Sequence, residues 1–138
     1  MSLNDICCYM PAWFGSLTPL IVGLWGYEAS TSSMSSVNYD QHPHFEVGIF
    51  SLILMSVIPA GLMRTIGGAF DNECIAITAM TCTFYLWCKS LSTSGSFNNS
   101  YGCYFYGILS GISYGYMVTA WGGYIFVLNM VGTRSLSR

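Results

Sequence analysis

The sequence predicts an all-α protein: a polytopic bundle of membrane helices, with no sheet and no soluble domain. Three observations carry that prediction. Hydrophobic residues make up 53% of the 138 residues and charged residues only 7%, too few to clothe a water-soluble domain of this length. The mean hydropathy is +0.51. Apolar runs at 6–27, 47–63, 74–88 and 104–120 alternate with short polar stretches, and about 20 residues of helix cross a bilayer. Helices satisfy their own backbone hydrogen bonds, which lipid cannot do for them. The expected spans are about 6–27, 47–66, 74–89 and 103–120, with a truncated span at 124–131.

The first run is too long for the apolar core of a signal peptide and is preceded by Asp5 rather than by a basic region. Pro11 and Pro19 interrupt it, which membrane helices tolerate when neighbouring groups replace the lost hydrogen bonds. Residues 28–46 read as a serine-rich polar loop carrying Asp40, His42, His44 and Glu46. Histidines and carboxylates are metal ligands, but in a polar loop such a cluster is ordinarily solvated, and no metal site is assigned there. The second span has Pro59 near its far end, where a kink is expected. In the third, Trp87 stands where an interfacial aromatic belongs, and Lys89 can snorkel from the helix end.

After a polar loop at 90–101, the fourth span carries Gly107, Gly111 and Gly115, a repeat that lets another helix approach closely. Trp121-Gly122-Gly123-Tyr124 breaks the pattern, and the run that follows ends at Val131, so this last helix is expected to be incomplete. The six cysteines contain no Cys-x-x-Cys pair and sit mostly in apolar runs, as small buried hydrophobes do. A net charge of −2 gives no basic footprint for nucleic acid. Lys89 and Arg64 fall on opposite sides of the membrane in this arrangement, so basic residues leave the orientation undecided.

Between the second and third runs lies Arg64-Thr65-Ile66-Gly67-Gly68-Ala69-Phe70-Asp71-Asn72-Glu73, an acidic loop at a membrane surface. An ionisable residue at the centre of a membrane helix costs roughly 2.5–3.5 kcal/mol on insertion scales, so such residues sit at membrane edges or in wet cavities. Asp71 and Glu73 are two residues apart, and in an extended loop both point to one side. Paired carboxylates invite a hard divalent cation, Mg²⁺ or Mn²⁺. Gly67 and Gly68 permit a tight turn into the loop. A plainer role is an interfacial ion pair at a helix start, where carboxylates favour the helix dipole.

These ten residues resemble the second luminal loop of the catalytic subunit of oligosaccharyltransferase, the membrane enzyme of N-glycosylation. The family reads approximately Arg-Ser-Val-Ala-Gly-Ser-Phe/Tyr-Asp-Asn-Glu there, and Arg64, Gly68, Phe70, Asp71, Asn72 and Glu73 match it. Two further blocks agree in order and spacing: 83–90, similar to an aromatic-Leu-Trp-x-Lys helix end, and 116–129, similar to Tyr-Met-Val-Ser-Ala-Trp-Gly-Gly-Tyr-Val-Phe-Ile-Ile-Asn. Residues 5–18 resemble the preceding helix more loosely.

The resemblance implies a partial transmembrane region of the GT-C glycosyltransferase type in the endoplasmic reticulum membrane, with the acidic loop 64–73 facing the lumen. It implies transfer of an oligosaccharide from dolichyl pyrophosphate to asparagine in Asn-x-Ser/Thr of nascent polypeptides, among other subunits of the complex and membrane lipid. Asp71 and Glu73 would then hold Mn²⁺ or Mg²⁺, with Arg64 as the catalytic site's nearby cation. The family's earlier acidic pair, its later luminal glutamate and its Trp-Trp-Asp motif do not occur here, so the chain reads as a fragment with one wall of an active site, inactive alone. Rival readings are a transporter or channel fragment, with Asp71 and Glu73 as cation ligands, and an assembly subunit using its glycine face. The sequon Asn98-Asn99-Ser100 falls on the opposite side from Asp71, so Asn98 is expected to be unmodified.

Overall fold

The structure, a computed structural model, describes residues 2–34, 42–68, 71–94 and 100–136. Its elements are α1 (Leu3–Met34), α2 (His42–Val57), α3 (Pro59–Arg64), α4 (Asn72–Ser94), α5 (Ser100–Ala120) and α6 (Tyr124–Leu136), with no strand among the described residues. The chain is an all-α membrane helix bundle. Among the described residues two helical stretches, Leu3–Ser32 and Asn72–Thr93, are long and apolar enough to cross a membrane.

Helix α1 has 32 residues, about 48 Å at 1.5 Å per residue. It does not stop at residue 27: part of the expected polar loop 28–46 is helix, through Met34 at one end and from His42 at the other. The polar side chains find partners that a helix permits. Thr31 Oγ1 donates to the Tyr27 carbonyl at 3.0 Å, Ser32 Oγ lies 3.2 Å from Ser92 Oγ, and Lys89 Nζ donates to Glu28 at 3.3 Å. Such back-bonding lets Ser and Thr stay helical while satisfying their hydroxyls.

Pro59 makes a full break rather than a kink. Ile58 is extended (φ −60°, ψ 117°) and Pro59 opens α3 at its first turn, because the residue before proline is driven out of the helical region. The loop expected at 90–101 is shorter than its polar composition implies, since α4 continues to Ser94 and α5 starts at Ser100. Helix α6 passes Val131, where the expected span ended, and continues to Leu136.

Helix α4 is the centre of the bundle and buries Cys74, Ala76, Thr78, Ala79, Thr81, Thr83, Leu86 and Ser90. Small and hydroxylated residues, rather than leucines, bring helices together in a bilayer, because lipid tails already solvate apolar chains. Thr18 and Thr78 hydroxyls meet at 2.8 Å, Trp25 stacks on Phe84 with ring centroids 5.9 Å apart, and Glu28 and Ser32 reach Lys89 and Ser92. These contacts rise in the same order along both chains, so α1 and α4 are parallel. Thr83 to Ser113 at 3.1 Å and Ser90 to the Cys103 carbonyl at 3.0 Å make α4 and α5 antiparallel. Ala79, Met117 and Val127 close the small core where α6 returns.

The close approach expected at Gly107, Gly111 and Gly115 occurs elsewhere. A Cβ at Gly111 or Gly115 would meet nothing within 4 Å, whereas one at Gly48 would lie 3.2 Å from the Gly23 carbonyl. The tight crossing is therefore α1 on α2, and α5 turns two of the repeat's three glycines outward. Large apolar side chains face out along α1, α2 and α5, including Trp13, Phe50 and Phe105. The packing gathers Cys8, residues 64–68, Asp71 and 121–123 at one end of the bundle, and Glu28, His44, Lys89 and Cys103 at the other.

Candidate functional site: an acidic loop clasped by arginine

The site is assembled from the break at Pro59. Helix α3 lasts six residues and ends at Arg64; Thr65 turns the chain, its hydroxyl donating to the Gly61 carbonyl at 2.9 Å. Gly68 then takes φ +94°, a left-handed conformation that a side chain would strain. In that conformation its N–H donates to the Cys8 carbonyl on α1 at 3.2 Å. Cys8 follows the residue whose carbonyl loses its helical donor to Pro11. Thr65 rests on Gly15, where a Cβ would lie 2.6 Å from the Thr65 Cβ. The loop is thus seated on α1 by one backbone hydrogen bond and one missing side chain. Residues 69 and 70 lie outside the described residues, so the match at Phe70 has no structural counterpart here.

Asn72 opens α4 and Glu73 falls in its first turn, where a carboxylate is favoured by the helix dipole. Arg64 Nη1 pairs with Glu73 Oε2 and lies 3.8 Å from Asp71 Oδ2. All three residues singled out from the sequence are therefore brought together, and both carboxylates converge on a single guanidinium nitrogen. The side chains of Arg64 and Asp71 are 53% and 56% exposed and that of Glu73 32%. Pairs this wet contribute about 0–1 kcal/mol each, so stability alone does not account for three charges at the end of a membrane bundle.

As a donor set the pair suits a hard cation in part. Mg²⁺ binds through one or two carboxylates and keeps waters or substrate phosphates as its remaining ligands, and Asp71 and Glu73 already meet at one cationic point. Among the described residues no group of three His, Cys, Asp or Glu side chains comes together. Of the sequence cluster at 40–46, His44 Nδ1 is 2.9 Å from Ser30 Oγ, whereas Asp40 and the side chain of His42 lie outside what the structure describes.

Sequence reasoning missed the seat of the loop and a second ion pair. Gly15 carried no signal beyond being a glycine in an apolar run. At the far end of α4, Lys89 bonds Glu28 and the Tyr85 hydroxyl, each at 3.3 Å, and stands 5.7 Å from the Tyr106 ring centroid. By composition Glu28 opens a polar loop, and a loop residue gives no sign of a partnership with Lys89.

Fold and site together define a helical membrane protein with an arginine-clasped acidic loop at one end. Residues 42–136 match the family model described as oligosaccharyl transferase STT3, N-terminal. The chain belongs to the STT3 oligosaccharyl transferase family. It is similar to the STT3 subunit of dolichyl-diphosphooligosaccharide–protein glycosyltransferase from Caenorhabditis elegans, 30% identical over 135 residues, or 98% of the chain and 15% of the relative. The Schizosaccharomyces pombe subunit is 30% identical over 131 residues, covering 95% of the chain and 15% of the relative. The rice STT3A subunit is 38% identical over 84 residues, covering 61% of the chain and 10% of the relative. The chain thus spans about 15% of the length of the first two.

Proposed function

We propose that this chain provides one wall of the active site of an oligosaccharyltransferase catalytic subunit. The reaction is transfer of a preassembled oligosaccharide from dolichyl pyrophosphate to asparagine in Asn-x-Ser/Thr of nascent proteins. The observation that carries the reading is the convergence of Asp71 and Glu73 at one end of a helix bundle in a chain of this family. In this reading the bundle lies in the endoplasmic reticulum membrane, the acidic loop faces the lumen, and further subunits of the complex surround it.

Asp71 and Glu73 would hold Mn²⁺ or Mg²⁺. When bound, such an ion supplies Lewis-acid stabilisation of the negative charge that develops on a departing lipid pyrophosphate. The chain's own residues have local tasks. Asp71 and Glu73 present oxygen donors on one side of the loop, and Glu73 is fixed in the first turn of α4. Arg64 keeps the two carboxylates together against their mutual repulsion. The Gly68–Cys8 hydrogen bond holds the loop against α1.

The test is a graft. Residues 42–136 would replace the matched segment of the S. pombe subunit, and microsomes would be assayed for transfer to a sequon peptide. The reading expects the graft to restore transfer that a scrambled segment of the same composition does not. A graft that inserts and assembles normally yet stays as inactive as the scrambled control would refute it.

A further inference from the structure

The segment that carries Asp71 and Glu73 is anchored to α1 on both sides, and the anchors lie along one face of that helix. Cys8, Pro11, Gly15 and Thr18 follow one another at intervals of three and four residues, the spacing of a single helix face. Pro11 and Thr18 are buried. Before the carboxylates, Thr65 rests on Gly15 and the Gly68 N–H donates to the Cys8 carbonyl at 3.2 Å. After them, the hydroxyls of Thr18 and Thr78 meet at 2.8 Å and hold α4.

Among the described residues Gly68 alone has a positive φ, +94°; its neighbour Gly67 does not share it. A Cβ at position 68 would meet nothing within 4 Å, so what excludes a side chain there is the handedness of the backbone and not a lack of space. Gly68 precedes Asp71 by three residues, at most about 10 Å of chain, so a different turn at 68 moves the carboxylates relative to α1. We propose that Gly68 is a positioning residue for the transfer reaction: its left-handed backbone, docked on the Cys8 carbonyl, sets where Asp71 and Glu73 stand and acts on turnover through them. This role rests on the transferase reading above and holds however the two carboxylates serve the reaction.

The test uses the full-length S. pombe subunit carrying the whole chain, α1 included, in place of the segment it matches, with transfer to a sequon peptide measured per assembled enzyme. Gly68→Ala should lower kcat about five- to thirtyfold, the scale of forcing a side chain into a left-handed backbone, with the peptide's KM unchanged. Gly68→Asn, which accepts positive φ more readily, should lose less. Gly67→Ala should stay within about twofold, because its Cβ would meet only the Cys8 carbonyl, at an ordinary 3.6 Å. With Glu73→Ala already present, the loss from Gly68→Ala should shrink, since one of the groups it places is gone. If Asp71→Ala inactivates the graft but Gly68→Ala keeps normal kcat, Gly68 does not position the site and this inference fails alone. It fails alone as well if Ala and Asn at 68 lose equally, if the loss lies only in KM or in the amount of assembled subunit, or if Glu73→Ala leaves the loss undiminished. Near-normal transfer with Asp71→Ala would refute the transferase reading and take this inference with it.

Discussion

Asp71, Glu73 and Arg64 stand close because a proline ends one helix, a glycine turns the chain and a new helix starts within a few residues. Chemistry-bearing residues of this kind are legible in sequence, since charges in a chain only 7% charged draw attention by their solvation cost. What seats them is not legible. Gly15 and the Cys8 carbonyl support the loop from α1, and neither a glycine nor a backbone oxygen carries a pattern that points across 50 residues of chain. Gly15→Ala tests the seat. Its Cβ would lie 2.6 Å from the Thr65 Cβ, so the loop must shift, at about 1–3 kcal/mol for overpacking. Thr65→Gly in the same chain removes the clashing group and should recover most of the loss, as read by reversible unfolding in detergent. Equal stability of Gly15→Ala and the unaltered chain would mean that Thr65 does not rest there.

Helix ends are where polar composition misleads. Glu28 to Met34 look like loop by residue type, yet they are helix because α4 runs parallel to α1 and offers partners at matching heights: Lys89 for Glu28 and Ser92 for Ser32. The glycine repeat on α5 misled in the opposite sense, since the close crossing belongs to Gly23 and Gly48. Proline signals split: at Pro59 the steric rule on the preceding residue breaks the helix, whereas α1 stays helical through Pro11 and Pro19. The Glu28–Lys89 pair is partly buried, with side chains 20% and 26% exposed. Glu28→Ala should destabilise the α1–α4 pairing by about 1–3 kcal/mol, because it leaves a sheltered ammonium without its carboxylate. The exchange Glu28→Lys with Lys89→Glu should regain part of that, shown as a favourable coupling in a double-mutant cycle. Strict additivity of the two single changes would contradict a direct interaction.

On the scale of the whole molecule, the alternation of apolar runs was enough to read an all-α membrane bundle, since a polar backbone has few ways to cross lipid. The partner of each helix was not readable, because packing here depends on threonines, serines and single glycines rather than on an apolar stripe. The bundle's two ends carry different groups, the acidic loop at one and Lys89 at the other. In the proposed orientation, with Asp71 in the lumen, α4 ends at Ser94 on the cytosolic side, so the sequon at Asn98, which lies outside the described residues, is expected to be unmodified. A Gly/Ser insert lengthening that segment should still give no glycosidase-sensitive mass shift in microsomes; a shift would reverse the orientation. The most direct measurement of the central claim is transfer to a sequon peptide by the S. pombe graft carrying Asp71→Ala. Losing a ligand should cost more than the roughly 10–100-fold typical of groups that merely support one. Asp71→Asn, with the size kept and the charge gone, should be nearly as harmful, and Glu73→Ala strongly impaired. Near-normal transfer with Asp71→Ala, at normal expression and assembly, would contradict the account.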